Sequence, residues 1–185
     1  MEHARREEER NVDEIVRRRD EAATWEVLSC LTGRSPGRIH TPRLLRLIYT
    51  RGWFNTRPRQ LPVALYQAWS GSEFPLSSMR QSVWRPMFTT AGFIVNGEAR
   101  EQDRPAEPIR LYRGARPRFK RRWSWTDDLE TAVTFTKGTR DGGVVWTSTV
   151  EPRRLLARFH EPGVGRGEHE WVVDTEGLAI RRHEL

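Results

Sequence analysis

Cysteine, lysine and long apolar runs are what this 185-residue chain has least of. A single cysteine, Cys30, rules out an intramolecular disulfide, so the thiol count asks for no oxidising compartment. No stretch approaches the roughly 18 consecutive apolar residues that read as a membrane-crossing helix. The charged opening, Met1 to Arg10, has no apolar centre of the kind a secretory signal carries. These absences make cytoplasm the expected setting, with no membrane partner. Equally missing are Gly-x-Gly-x-x-Gly, a Walker sequence and a serine nucleophile elbow. The five histidines show no metal spacing with Cys30 or with one another, so no metal is expected, and His160 reads as incidental.

What is present is charge. Hydrophobic residues make up 36% of the chain and charged residues 31%, the composition of a soluble globular protein long enough to bury a core. Only Lys120 and Lys137 are lysines, leaving 30 of the 32 basic residues as arginine. Arginine suits planar, bidentate contact with phosphates and carboxylates, although a GC-rich genome produces the same bias. A net charge of +7 permits a polyanionic partner, and a basic nucleic-acid-binding protein is the non-enzymatic alternative. The basic residues are spread along the chain except between Arg110 and Arg122, where seven of them occur without an acid.

The first 105 residues read as helical and residues 106–185 as mostly strand. Val12, Ile15, Val16, Ala23, Val27, Leu28 and Leu31 recur at helical spacing, predicting one long helix from Met1 to about Leu31. Thr41-Pro42 opens a second that stops near Gly52, a third runs from Pro62 to Trp69, and a fourth from about Ser77 to Gly92 is kinked or delayed by Pro86. Trp25, Trp53, Trp69 and Trp84 in this region read mainly as packing residues. Beyond Pro105 the predicted strands are Ile109–Tyr112, Trp123–Thr126, Gly143–Val150, Leu156–Phe159, Trp171–Val173 and Leu178–Ile180, with one helix running from Leu129 through Phe135. Helices followed by strands predict an α+β fold.

Three short pieces of the second region can carry chemistry. Leu111-Tyr112-Arg113-Gly114 ends a strand on an arginine followed by a residue that lets the backbone turn. Ser124-Trp125-Thr126 puts two hydroxyls on one face just before a helix. Glu168-His169-Glu170 leads into the apolar run Trp171-Val172-Val173. Alternate strand residues share a face, so Glu168 and Glu170 project together about 7 Å apart at Cα. Like charges side by side repel, and a purely structural strand has reason to avoid them.

In this order the pieces resemble the Arg–Ser–Glu branch of the ADP-ribosyltransferase superfamily, which includes bacterial toxins, bacteriophage enzymes and vertebrate arginine-specific transferases. The middle element, Ser124 through Phe135, follows the pattern of a hydroxyl-bearing strand and an Asp-x-x-x-Ala-x-x-Phe helix. The likeness covers roughly Ile109 to Ile180. It departs from the pattern at Trp125 and Thr126, where many relatives have Thr and Ser, and Thr147-Ser148-Thr149 is a second-ranked rival for that element.

The resemblance implies a core of two packed, mostly antiparallel sheets and NAD⁺ as ADP-ribose donor. It implies Glu170 as the carboxylate facing the ribose charge, Arg113 on a phosphate or adjoining ribose, and Ser124 holding the nicotinamide ribose and orienting Glu170. Tyr112, Gly114 and Thr126 complete the dinucleotide site, with the Gly114 amide toward the carboxamide. Glu168 would face the acceptor, which the Glu-x-Glu pattern suggests is a protein arginine. The segment Glu161 to Gly167 is where the family reads its target. The expected activity is therefore mono-ADP-ribosyl transfer to a protein side chain; NAD⁺ hydrolysis and nucleic-acid modification are the alternatives. The basic residues Arg116 to Arg122 either clamp the NAD⁺ phosphates or form a solvated loop. Phe119 and Trp125 either stack on a ring of the dinucleotide or pack in the core, the commoner role for such residues.

Overall fold

The computed structural model describes residues 2–33, 35–37, 40–72, 74–137, 142–160 and 169–184. The chain forms two compact units, Met1–Ala91 with Gly97–Ala99, and Gly92–Asn96 with Arg100–Leu185. The division falls ahead of the 105/106 boundary drawn from composition, because Phe93 is already buried in the core of the strand unit. Among the described residues no helix is long and apolar enough to cross a membrane.

The first unit contains α1 (Glu2–Arg17), α2 (Trp25–Ser29), α3 (Thr41–Thr50), α4 (Gln60–Ser70), α5 (Pro75–Ser78) and α6 (Gln81–Ala91). Val12, Ile15 and Val16 of α1 are buried, as their spacing requires. The single long helix expected to Leu31 is instead broken between Arg17 and Trp25. Thr24 caps α2 by accepting the Val27 N–H (3.3 Å), and distant residues serve the freed backbone groups: Gln60 Oε1 accepts the Trp25 N–H (2.7 Å) and the Trp53 indole donates to Arg19 O (3.0 Å). The fourth predicted helix is likewise divided, with Met79 extended between α5 and α6, while Pro86 lies inside α6. Trp25, Trp53, Trp69 and Trp84 are all buried. The indoles of Trp25 and Trp84 donate to Gln67 Oε1 (2.9 Å) and Pro75 O (3.2 Å), and Trp69 meets Trp84 edge to face at 5.2 Å.

The strand unit is built from β1 (Ile94–Val95), β3 (Ile109–Ala115), β4 (Ser124–Trp125), α7 (Leu129–Lys137), β5 (Val144–Val150), β6 (Leu155–Phe159), β7 (Glu170–Val173) and β8 (Arg181–Arg182); β2 (Glu98–Ala99) falls in the first unit. One sheet of this unit has the order β1-β6-β7-β4 and the other β3-β5-β8. All pairings among these strands are antiparallel except β1 with β6. The architecture is thus α+β. Leu111 and Val150 of one sheet and Trp125, Leu155, Trp171 and Val173 of the other share one buried cluster with Phe93 and Leu178. The predicted strand Leu178–Ile180 is not one: Leu178 plugs this cluster, and pairing begins at Arg181.

A polar staple fastens the start of this unit. Glu101 accepts the Phe93 N–H (3.0 Å) and pairs with Arg104 (2.6 Å), which also donates to the carbonyls of Pro152 (3.0 Å) and Leu155 (2.8 Å). Hydrogen bonding from Arg104, with help from the Phe93 N–H, holds the Glu101 carboxyl below the usual glutamate range against the opposing effect of partial burial. A depressed carboxyl stabilises the fold above its unfolded pKa of about 4.3 and loses that contribution as pH falls through the lower folded value. Glu101→Gln is therefore expected to cost about 1 kcal/mol at pH 7, a modest figure because the side chain is largely exposed. Thermal melts of variant and wild type should draw together as pH falls below the unfolded value and converge once it has passed through the lower folded one.

Candidate functional site at the junction of the sheets

Tyr112 and Thr126 join the two sheets. Tyr112 N–H donates to Thr126 O (2.7 Å) and Thr126 N–H to Tyr112 O (2.9 Å), a narrow antiparallel rung between β3 and the end of β4. Because Tyr112 turns its backbone groups toward β4, alternation turns those of Gly114 the same way. Its register partner agrees: Val145, opposite Gly114, gives its carbonyl to the His183 N–H (2.8 Å) on the other side of β5. Gly114 therefore presents an N–H and a C=O along the β3 edge that faces β4.

Continuing the count from the Tyr112–Thr126 rung would set Ser124 opposite Gly114. Arg113 intervenes. Its guanidinium donates from Nη1 to Ser124 O and from Nε to Phe119 O (3.2 Å), bridging the two strands where the ladder stops. Nη2 makes no hydrogen bond among the described residues, which leaves one nitrogen of the guanidinium for an anion. Burial lowers the Arg113 pKa to about 10, with the Arg122 charge adding to the effect and the Glu170 carboxylate opposing it. That value is well above neutrality, and the side chain stays a cation.

Glu170 opens β7, and its negative charge is the influence that opposes the lowering of the Arg113 pKa. The β4–β7 register pairs Ser124 with Val172 and Trp125 with Trp171, so one further step puts Thr126 opposite Glu170. Ser124, Thr126 and Glu170 consequently share one face of that strand pair, with Trp125 and Trp171 on the other. The structure thus brings Arg113, Gly114, Ser124, Thr126 and Glu170 to one junction. The Thr126 hydroxyl is already engaged locally, its Oγ1 accepting the Asp128 N–H (3.1 Å) at the start of α7. The Tyr112 ring is not brought in; it lies on the opposite face of β3 from Arg113, edge-on to His183 at 5.3 Å. Glu168 and the segment Glu161 to Gly167 lie outside the described residues.

Gly114 does not turn the chain as its motif suggested, since β3 continues in register with β5 through Ala115; it has instead a packing role. A Cβ there would stand 1.9 Å from Ala132 O and 2.9 Å from Phe135 Cβ, so the bare backbone is what lets α7 lie against β3. The basic stretch is divided in its roles. Arg121 donates to the carbonyls of Thr175 (3.0 Å) and Leu178 (3.2 Å), while Arg118 and Arg122 lie over the Phe119 ring at 4.6 and 4.5 Å and Lys120 over Trp146 at 5.0 Å. Trp125 is a core residue. The rival strand uses its hydroxyls within the β3-β5-β8 layer, Ser148 donating to Ala179 O (2.8 Å) and Thr147 to Leu111 O (3.2 Å). Among the described residues no group of three or more His, Cys, Asp and Glu side chains could hold a metal.

Sequence reasoning missed Asp127. Its two carboxylate oxygens lie 3.1 Å from the Trp171 indole nitrogen, which donates to it, and 3.7 Å from His169 Nδ1. An acidic residue after a hydroxyl strand reads as a helix opener, and only the β4–β7 pairing shows that it also reaches across. No protein-family model, curated protein or solved structure matches this chain.

Proposed function

We propose that the chain is a mono-ADP-ribosyltransferase that moves ADP-ribose from NAD⁺ to a protein side chain, an arginine by the Glu168-x-Glu170 pattern, and releases nicotinamide. What supports this reading is that Arg113 donates to the Ser124 carbonyl where the two sheets join, while the β4–β7 register sets Ser124, Thr126 and Glu170, far apart in the sequence from Arg113, on one face. The residues fit a dinucleotide: a guanidinium with one nitrogen uncommitted suits a diphosphate or ribose, and the Gly114 N–H and C=O match a carboxamide, which has one acceptor and two donors.

The chemistry follows from charge. Cleavage of the ribose C1′–N bond sends its electron pair to the nicotinamide nitrogen, neutralising the pyridinium, and leaves positive charge on the sugar. Glu170 faces that charge and holds the 2′-hydroxyl, lowering the barrier as a fixed anion in a partly desolvated site. Ser124 orients the ribose and Glu170. The acceptor guanidinium nitrogen then bonds to C1′ and gives up a proton, which Glu168 receives; a guanidinium with pKa above 12 needs such an anionic partner.

Arg113→Lys tests the donor half. A point charge cannot reproduce the fork, so NAD⁺ affinity measured by calorimetry is expected to fall about tenfold. The acceptor half is tested by treating a cell lysate with the protein and a tagged NAD⁺ analogue, followed by mass spectrometry. Labelled protein arginines support the reading. Free ADP-ribose with no labelled macromolecule makes water the acceptor, and labelled DNA or RNA moves the acceptor to nucleic acid.

A further inference from the structure

The face of β7 turned away from Ser124 carries a second cluster, centred on the residue just before Glu170. β6 and β7 pair Phe159 with Glu170, and one step further sets His160 opposite His169. Their rings lie 3.7 Å apart between centroids, inclined at 48°. The His160 end of this contact is held by hydrogen bonds, and the His169 end lies beside a carboxylate. Asn96 takes both backbone groups of His160, donating from Nδ2 to its carbonyl (2.8 Å) and accepting its N–H at Oδ1 (2.8 Å). Asp127 lies between His169 and Trp171, at 3.7 Å from the first and accepting a hydrogen bond from the second at 3.1 Å. Arg158 covers the Trp171 ring at 5.2 Å on the same face.

Neighbouring strand residues point to opposite faces, so His169 and Trp171 cannot share the face of Glu170. They flank it in sequence instead, and a single carboxylate from the β4–α7 connection reaches both. Holding the residues on either side of Glu170 fixes the backbone from which its side chain projects. We infer that Asp127 and His169, backed by the His160 ring, are positioning residues that hold Glu170 at the angle its reaction requires, acting through the strand from the opposite face. This rests on the proposed function of Glu170. It assigns a role to a histidine within the Glu-x-Glu pattern, whose intervening position the pattern leaves open.

The test uses the full chain and the variants Asp127→Ala, His169→Ala and His169→Asn, with Glu170→Gln as reference. Misplacing a reacting group by about 1 Å costs on the order of a hundredfold in rate. Asp127→Ala and His169→Ala are accordingly expected to lower kcat for nicotinamide release at least about tenfold while changing NAD⁺ Kd by less than about twofold. His169→Asn, whose amide nitrogen can stand in for Nδ1, should recover most of that loss. A merely structural role would give no selective fall in kcat and no rescue. Amide hydrogen exchange at Glu170 and Trp171 should quicken in both alanine variants while that at Val150, in the other sheet, is unchanged. Wild-type kcat in both alanine variants overturns the positioning role and leaves the proposed function standing. If Glu170→Gln itself releases nicotinamide normally, the proposed function falls, and exchange decides the rest: quickened exchange at Glu170 supports the hold on the strand, and unchanged exchange overturns it.

Discussion

Glu170→Gln is expected to lower nicotinamide release by about 10³-fold while leaving NAD⁺ affinity and thermal stability close to wild type. The amide keeps the shape and hydrogen-bonding reach of the side chain and removes only its charge. In the ground state NAD⁺ already carries its positive charge on the pyridinium, so little binding depends on Glu170. That charge migrates to the ribose as the glycosidic bond breaks, and it is there that the carboxylate acts. The loss belongs in kcat. The stability cost should be small, that of losing the carboxylate's attraction for the Arg113 cation, because Glu170 lies at the entrance of β7 and is only half-buried, whereas Val172 and Val173 behind it are fully buried. A variant that releases nicotinamide at near wild-type rate would end the proposed mechanism, and one that fails to bind NAD⁺ would mean the carboxylate serves binding instead.

The second large effect is on folding. Gly114→Ala is expected to destabilise the strand unit by about 3 kcal/mol or more, seen as a fall in Tm on the order of 10 °C. The added methyl meets the Ala132 carbonyl oxygen at 1.9 Å, a backbone atom that can yield only if α7 shifts as a body. Alanine would restrict the unfolded chain and return roughly 0.4–1 kcal/mol, too little to offset the clash. Displacing α7 would also disturb its first turn, where Asp128 accepts hydrogen bonds from the Glu130 N–H (2.9 Å) and the Thr131 hydroxyl (2.7 Å). A variant with unaltered Tm and unaltered far-ultraviolet dichroism would show that the helix does not bear on β3 in this way.

The α+β class and most strands of the second unit were legible because their signals are local. The β-branched and aromatic residues of Ile109–Ala115 and Val144–Val150 and the apolar run at Trp171–Val173 each announce a strand without reference to anything distant. The order of arginine, hydroxyl and carboxylate was legible for the same reason. What could not be read depends on partners remote in sequence. The break after Arg17 follows from Gln60 and Trp53, which supply hydrogen bonds that a continuous helix would have supplied itself. β8 was missed because Arg181 and Arg182 carry no apolar pattern, and it exists by pairing with Thr147 and Trp146. The packing role of Gly114 and the reach of Asp127 toward Trp171 and His169 likewise appear only once α7 and β7 are set against their neighbours.

The placement of β8 has a consequence for how the molecule behaves among its own copies. A marginal strand presents backbone groups with no ladder partner, and any extended peptide could add itself there. Here the exposed residues of that margin are Arg181 and Arg182, so a like segment from another molecule would bring two more guanidinium groups against the first two. Growth of the layer by self-addition is thereby discouraged, and concentrated solutions should stay free of fibrils for as long as those two cations are kept.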